Sequence, residues 1–235
     1  MISNIQFPGE PSPTPARRHM NPDGLLGGWV AETADVDATC YVSEDALIYG
    51  NAEVKGMVKV HDEARIHGDA LVEGLVNLYG STRVYGKAHI NGLSGRVVLK
   101  GDSNIFGEGL VRGNVIATDL LVNQKAWVQA PDGGTLRLPF PWMLGGAATI
   151  TGSFTLQGSG CLAHDANITA DEEVITLTLN GSTYTSWRDP AFPAHVWVLN
   201  MMWPEPRLVS TLSQNRDWQK DPQKVAALMF LATVK

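Results

Sequence analysis

The side chains in this sequence best suited to chemistry at neutral pH are its histidines, because an imidazole exchanges its proton in that range and can serve as a general base. His61, His67, His89 and His164 fall within one stretch of the chain and His195 lies beyond it. Of these, His61, His67 and His89 are the candidate catalytic residues. The two cysteines, Cys40 and Cys161, form no Cys-x-x-Cys pair and are too few for a disulfide framework. No Walker-type phosphate loop and no Ser-His-Asp signature accompanies them. The 24 glycines therefore answer to something other than phosphate binding.

What they answer to is a period of six. Every sixth residue from Val30 is aliphatic: Val36, Val42, Ile48, Val54, Val60, Ile66, Val72, Leu78, Val84 and Ile90. Two positions before each stands a mostly small residue, such as Ala34, Cys40, Ala46, Ala52, Ala64, Ala70 and Ala88. Two positions after stands glycine at Gly50, Gly56, Gly68, Gly74, Gly80, Gly86 and Gly92. In a short strand, residues two apart point to the same side, and glycine supplies the backbone freedom of a sharp corner. One hexapeptide is then one side of a coil, three sides close a turn of about 18 residues, and turns stack at roughly 4.8 Å as in a parallel sheet. A helix is excluded, since 3.6 residues per turn would scatter the repeat around its surface and each glycine would cost about 1 kcal/mol.

The pattern slips at Asn91 to Gly95, resumes with Leu99, Ile105 and Val111, and adjusts again into Ile116, Val122 and Val128. Pro131 to Met143 then carries Pro131, Gly133, Gly134, Pro139 and Pro141, the punctuation of a loop. The six-residue frame returns with Leu144, Ile150, Leu156, Leu162, Ile168 and Val174. The expected architecture is thus an all-β, single-stranded parallel β-helix of about eight turns over residues 29–176, with an inserted loop at 131–143. Residues 1–28, with Pro8, Pro11, Pro13, Pro15 and Pro22, read as a proline-rich arm that orders only against a partner. Residues 177–235 read as a mixed cap of strands and one helix, the latter from Val225, Leu228, Met229 and Ala232 after Asp221-Pro222. An open β-helix end exposes unpaired backbone groups and needs such a cover.

With the coil in place, candidate sites acquire positions. Stacking by 18 sets Tyr49, His67 and Tyr85 in one vertical row and Ser43, His61 and Tyr79 in another, while Asp37, Lys55, Glu73 and Asn91 form a solvated charge ladder. The bland reading of the rows, polar and aromatic residues laddering along a corner, outweighs a binding strip. The loop gathers Leu136, Leu138, Phe140, Trp142 and Met143, apolar groups expected to dock on a neighbouring subunit or another protein. Trp187, Phe192, Trp197, Trp203 and Trp218 give the C-terminal region interface anchors or, more simply, a capping core. The net charge of −6 argues against nucleic acid as partner. No run of roughly 20 apolar residues is present and no basic segment leads into an apolar one, so no membrane partner and a cytoplasmic location are expected.

Gly27-Gly28-Trp29-Val30 leading into Ile48-Tyr49-Gly50-Asn51-Ala52-Glu53-Val54, together with Val84-Tyr85-Gly86-Lys87-Ala88, resembles the left-handed β-helix hexapeptide-repeat superfamily over roughly residues 27–174. More narrowly it resembles a bacterial and phage-associated branch often labelled putative acetyltransferase. The resemblance implies a left-handed winding. Its best-known members are trimeric acyltransferases that hold acetyl- or acyl-coenzyme A between subunits, which would make His61, His67 or His89 the base and the protein a homotrimer. Zinc carbonic anhydrases share the helix, and Val97-Val98-Leu99-Lys100-Gly101-Asp102 is similar to their run, but their closely spaced histidine pair is missing and Lys100 replaces an arginine. No metal is therefore expected. The glycine-x-proline-alanine-lysine or arginine segment of the acyltransferases is absent as well, which argues against coenzyme A. The function expected is a noncatalytic β-helical scaffold or protein-interaction module, phage or mobile-element associated, without cofactor; the alternative is a trimeric acyltransferase using acetyl-coenzyme A.

Overall fold

A computed structural model of the chain describes residues 2–155, 160–162, 166–171, 174–179, 182–188, 196–200 and 207–208. All regular structure among them is β. Three faces wind into a coil. The first face begins with Leu26–Ala31 and continues through Leu47–Ile48, Arg65–Ile66, Arg83–Val84, Asn104–Ile105, Leu120–Val122, Trp142–Leu144 and Gly160–Leu162, each parallel to the next. These eight levels bound seven complete turns, one fewer than the repeat count suggests.

The inward columns follow from the hexapeptide. Val30, Ile48, Ile66, Val84, Ile105, Val122 and Leu144 line the first face; Val54, Val72, Ile90, Val111, Val128, Ile150 and Ile168 the second; Val42, Val60, Leu78, Leu99, Ala117 and Leu138 the third. All are at most 1% exposed. Burying each Val, Leu or Ile contributes roughly 1.5–3 kcal/mol relative to leaving it in water. The slot two residues earlier is mostly alanine on the second face, runs from Ala46 and Ala64 to Leu120 and Trp142 on the first, and is filled by Val58, Val76, Val97, Val115 and Leu136 on the third. Where the first face substitutes Thr82 and Ser103, the hydroxyls donate to Tyr79 O and Lys100 O at 2.7 Å, so the buried polar groups are satisfied. At the corner after the first face, Gly68 has φ +72°, and a Cβ there would lie 2.9 Å from Gly86 N, so stacking as well as backbone conformation selects glycine.

The coil is not uniform. Register partners step by 18 residues from Val30 to Val84, then Val84 pairs with Ile105, Ile105 with Val122 and Val122 with Leu144. The first lengthening is a bulge between Gly92 and Val97, where sequence periodicity slips. The second corrects the expectation of an inserted loop at 131–143. Leu136–Leu138 pairs in register with Val115–Thr118 as a third-face strand, and Trp142–Leu144 pairs with Leu120–Val122 as a first-face strand. Only the short stretch before Leu136 is additional; Pro139 and Pro141 sit at the corner between two ordinary strands.

The ends depart from the coil by turning antiparallel. We label Ile2–Ile5 β1, Thr14–Met20 β2 and Leu26–Ala31 β3. β1 pairs with β2 and β2 with β3, so the segment expected to order only against a partner folds onto its own first turn. Phe7 and Ala16 bury themselves with Ala31 and Tyr49 in a small second core that gives the arm an apolar anchor. β2 ends where the third face begins, and side chains complete the cover: His19 Nε2 donates to Cys40 O at 2.9 Å, while Asn21 accepts from Val42 N at 2.9 Å and donates to Val42 O at 3.1 Å. The amide of Asn21 thereby imitates a neighbouring strand. At the other end, Val174–Leu179, Ser182–Arg188, Val196–Asn200 and Arg207–Leu208 extend Asn167–Asp171 as an antiparallel meander. Residues 221–234, expected to be helical, lie outside the described residues.

Candidate functional site

The row expected at the first-face corner is a column of stacked rings, longer than its 18-residue spacing discloses. Tyr49 and His67 lie 4.6 Å apart at 3°, and His67 and Tyr85 5.0 Å apart at 2°. Phe7 extends the column below Tyr49 at 4.7 Å, and Phe106 extends it above Tyr85 at 4.9 Å. Phe7 arrives from the folded-back arm, and the Tyr49 hydroxyl fixes it by donating to Pro8 O at 2.9 Å. Phe106 escapes an 18-residue search because the Gly92 to Val97 bulge displaces it to 21 residues after Tyr85. Pairs of this kind contribute about 0.5–1.5 kcal/mol each beyond area burial.

Both ring faces of His67 are thus occupied, and burial, then the charges of Arg65 and Arg83, hold its pKa below the usual histidine value. His61 belongs to the second row: it stacks on Tyr79 at 4.4 Å and 2°, and tilts against Tyr41 at 5.5 Å. Its Nε2 is buried with no hydrogen-bond partner among the described residues. Burial, and secondarily Lys59, lower its pKa despite the opposing effect of Asp62. Both imidazoles are held toward the neutral form, fit to accept a proton, but among the described residues no acid or hydroxyl bonds to either one.

His89 is different. Its Nε2 lies 2.7 Å from Glu73 Oε1, and Asn91 Nδ2 donates to the same oxygen at 2.9 Å. Glu73 sits one turn below on the second face, where register pairs His89 with Leu71 and Asn91 with Glu73, so the contact is diagonal. An 18-residue offset from His89 falls on Leu71; taking the next outward residue would have found Glu73. The arrangement is a carboxylate-oriented imidazole, half-buried on an open sheet face. It is the one pairing among the three candidate histidines with the form of an acid–base unit.

The remaining expectations sort by burial. Leu136 and Leu138 are fully buried and Trp142 nearly so, which corrects their assignment to an interaction loop: they are the inward residues of the strands just described. Phe140 and Met143 remain outside at 44% and 48% exposure. A second apolar row lies outside the hexapeptide grammar. Met57 pairs with Leu75, Leu93 follows Gly92 one turn higher, and the three are 61%, 39% and 69% exposed along the corner between second and third faces. Met57 and Leu75 occupy the position just after a corner glycine, a slot the inward-column search passes over.

Of the expected charge ladder, Lys55 faces Glu73 and Glu73 faces Asn91 in register, while the ion pair of Lys55 goes to Glu53 on its own strand and Asp37 accepts from Gly56 N at 2.7 Å. In the run from Val97 to Asp102, Val97 and Leu99 are core, and among the described residues no group of three metal-binding side chains assembles. His164, His195, Phe192, Trp203 and Trp218 lie outside the described residues, as do the side chains of Trp187 and Trp197. Among the described residues no helix is long and apolar enough to cross a membrane. Compared with models of protein families, with curated proteins and with solved structures, the chain matches none, and what the site does has to be argued from its own geometry.

Proposed function

We propose that this protein is a noncatalytic β-helical scaffold that assembles with further copies of itself, in a cytoplasmic phage or mobile-element setting. The observation that carries the reading is the exposed Met57, Leu75 and Leu93 row, three large aliphatic side chains stacked on a rigid corner. Contiguous apolar surface of this kind on a regular framework favours association. The two stacked rows support the same reading, since the rings of His61 and His67 are taken up in stacking. Mass measurement by light scattering across a concentration series tests it. The native chain should scatter as an oligomer, and Leu75→Glu should shift it toward monomer while keeping its β circular-dichroism signature and a cooperative melt. A monomeric native chain at all concentrations refutes self-assembly.

A trimeric acyltransferase is the second reading, favoured by the His89–Glu73 contact. Calorimetric titration with acetyl-coenzyme A and coenzyme A decides between them. Saturable binding, with turnover that falls in His89→Gln and Glu73→Gln, would replace the scaffold by the enzyme.

A further inference from the structure

The outer side of the first face stacks two cationic side chains that no carboxylate among the described residues offsets. Arg65 and Arg83 pair in register on neighbouring turns, so their side chains leave the sheet one above the other at about the 4.8 Å strand spacing. Like charges directly opposite one another destabilise a sheet. Other basic side chains stacked along the coil or at its start stand near acidic ones. Lys55 forms an ion pair with Glu53, which faces Asp35 in register, and the corner that carries Asp69, Lys87, Glu108 and Lys125 alternates in sign. Arg17 and Arg18 have Glu32 and Glu44. Arg65 and Arg83 have no ion pair or hydrogen bond among the described residues, although acidic groups outnumber basic ones in the chain, 24 to 18.

Their surroundings narrow what would neutralise them. On one side the same two strands present His67 and Tyr85 of the ring column, a rigid wall at 5.0 Å ring spacing. Above, Asn104 continues the row in register with Arg83, and below stands Leu47. Both guanidiniums act electrostatically on His67 and on Tyr49, so their charge is felt across the wall; of the carboxylates, Glu10 on the arm acts on Tyr49 and none offsets them at His67. A carboxylate offers two acceptor oxygens in one plane, whereas a tetrahedral group offers three or more in different directions and so suits two forks reaching it from successive turns.

We propose that Arg65 and Arg83 form a binding site for a tetrahedral oxyanion, a sulfate or phosphate group, on the outer surface of the first face. The site stands independently of the scaffold reading. Linkage supplies its signature: an anion held beside His67 favours the imidazolium, so the His67 ring should titrate at higher pH when the site is filled.

The test follows the His67 ring protons of the full-length protein by NMR across pH, with sodium sulfate against sodium chloride at equal ionic strength. A parallel arm uses dextran sulfate against uncharged dextran. We expect a saturable upward displacement of about half a pH unit, lost in Arg83→Gln and in Arg65→Gln. Both variants should melt no lower than the native chain, because each removes a like-charge contact, and this shows that loss of response is not loss of fold. A response to free sulfate identifies a small-anion site. A response to dextran sulfate alone identifies a site for a sulfated polymer. An unchanged His67 titration in both arms, or a displacement that survives in both variants, overturns the proposal.

Discussion

Replacing Gly68 by alanine separates two reasons for a glycine at a corner. At φ +72° an L-residue costs about 1–2 kcal/mol, partly offset by the ~0.4–1 kcal/mol that alanine gains through a less flexible unfolded chain. That net of about 1 kcal/mol is all that Gly133→Ala should show, since Gly133 has φ +77° and nothing within 4 Å of a Cβ. Gly68 adds contacts of 2.9, 3.2 and 3.3 Å with N, O and Cα of Gly86, backbone atoms held by the turn above. Relieving them should cost a further 1–3 kcal/mol or so, the usual range for overpacking. At about 2–4 °C per kcal/mol for a chain of this size, Gly68→Ala should melt roughly 4–16 °C below the native chain and Gly133→Ala only about 2–4 °C below. Amide exchange gives the local readout. Asn51 N–H donates to Gly68 O at 2.7 Å and Asp69 N–H to Gly86 O at 2.8 Å, and both amides should lose protection in Gly68→Ala alone. Asp62 sets the contrary case, because it occupies a stacked corner at φ 52°, with its carboxylate accepting from Gly80 N at 2.8 Å. If Gly68→Ala matches Gly133→Ala in midpoint and keeps its amides protected, corners relax toward the Asp62 conformation and the steric argument is refuted.

Other expectations follow from the cap, the core and the ring column. Asn21→Ala strips partners from Val42 N and O, and should cost about 1–3 kcal/mol in denaturant melts while raising concentration-dependent light scattering as the third-face edge opens. The Cys40 thiol is pushed up to about 11, chiefly by burial, and should resist iodoacetamide at pH 8 until denaturant is added; rapid native labelling would contradict its placement. His61 and His67 have folded pKa values below the 6.5 of a free histidine, so the unfolded chain binds more protons as pH falls below about 6.5. Stability should therefore be full above that pH and decline as it falls toward the folded values. Thermal midpoints of a His61→Phe, His67→Phe double variant should depend less on pH between 7 and 5 than those of the native chain.

The fold was legible because its grammar is redundant. An aliphatic at Ile66, alanine at Ala64 and glycine at Gly68 each announce the same corner and strand, and the pattern recurs often enough to fix register without any contact information. Legibility failed where a strong local signal masked a weak one. Pro131, Gly133 and Gly134 suggest a loop, yet Leu136, Leu138, Trp142 and Leu144 keep inward alternation, and Leu138 to Leu144 to Ile150 keeps the six-residue step. The arm failed for the opposite reason, since Phe7 and Ala16 are too few to suggest a core until Tyr49 joins them. At the site, the ring row was visible because equal offsets create it. The His89–Glu73 bond was not, because it is diagonal and separated by 16 residues.

The bulge between Gly92 and Val97 has a consequence for growth and modification of the coil. It adds chain within one level, yet Tyr85 still meets Phe106 and Val84 still meets Ile105, so every column above resumes alignment at once. Height therefore counts turns, while chain length is a local matter for each corner. A guest peptide spliced between Leu93 and Arg96 would pay a closure cost that rises only logarithmically with its length, and it would hang from the tower as a banner hangs from a mast, leaving the storeys above unmoved.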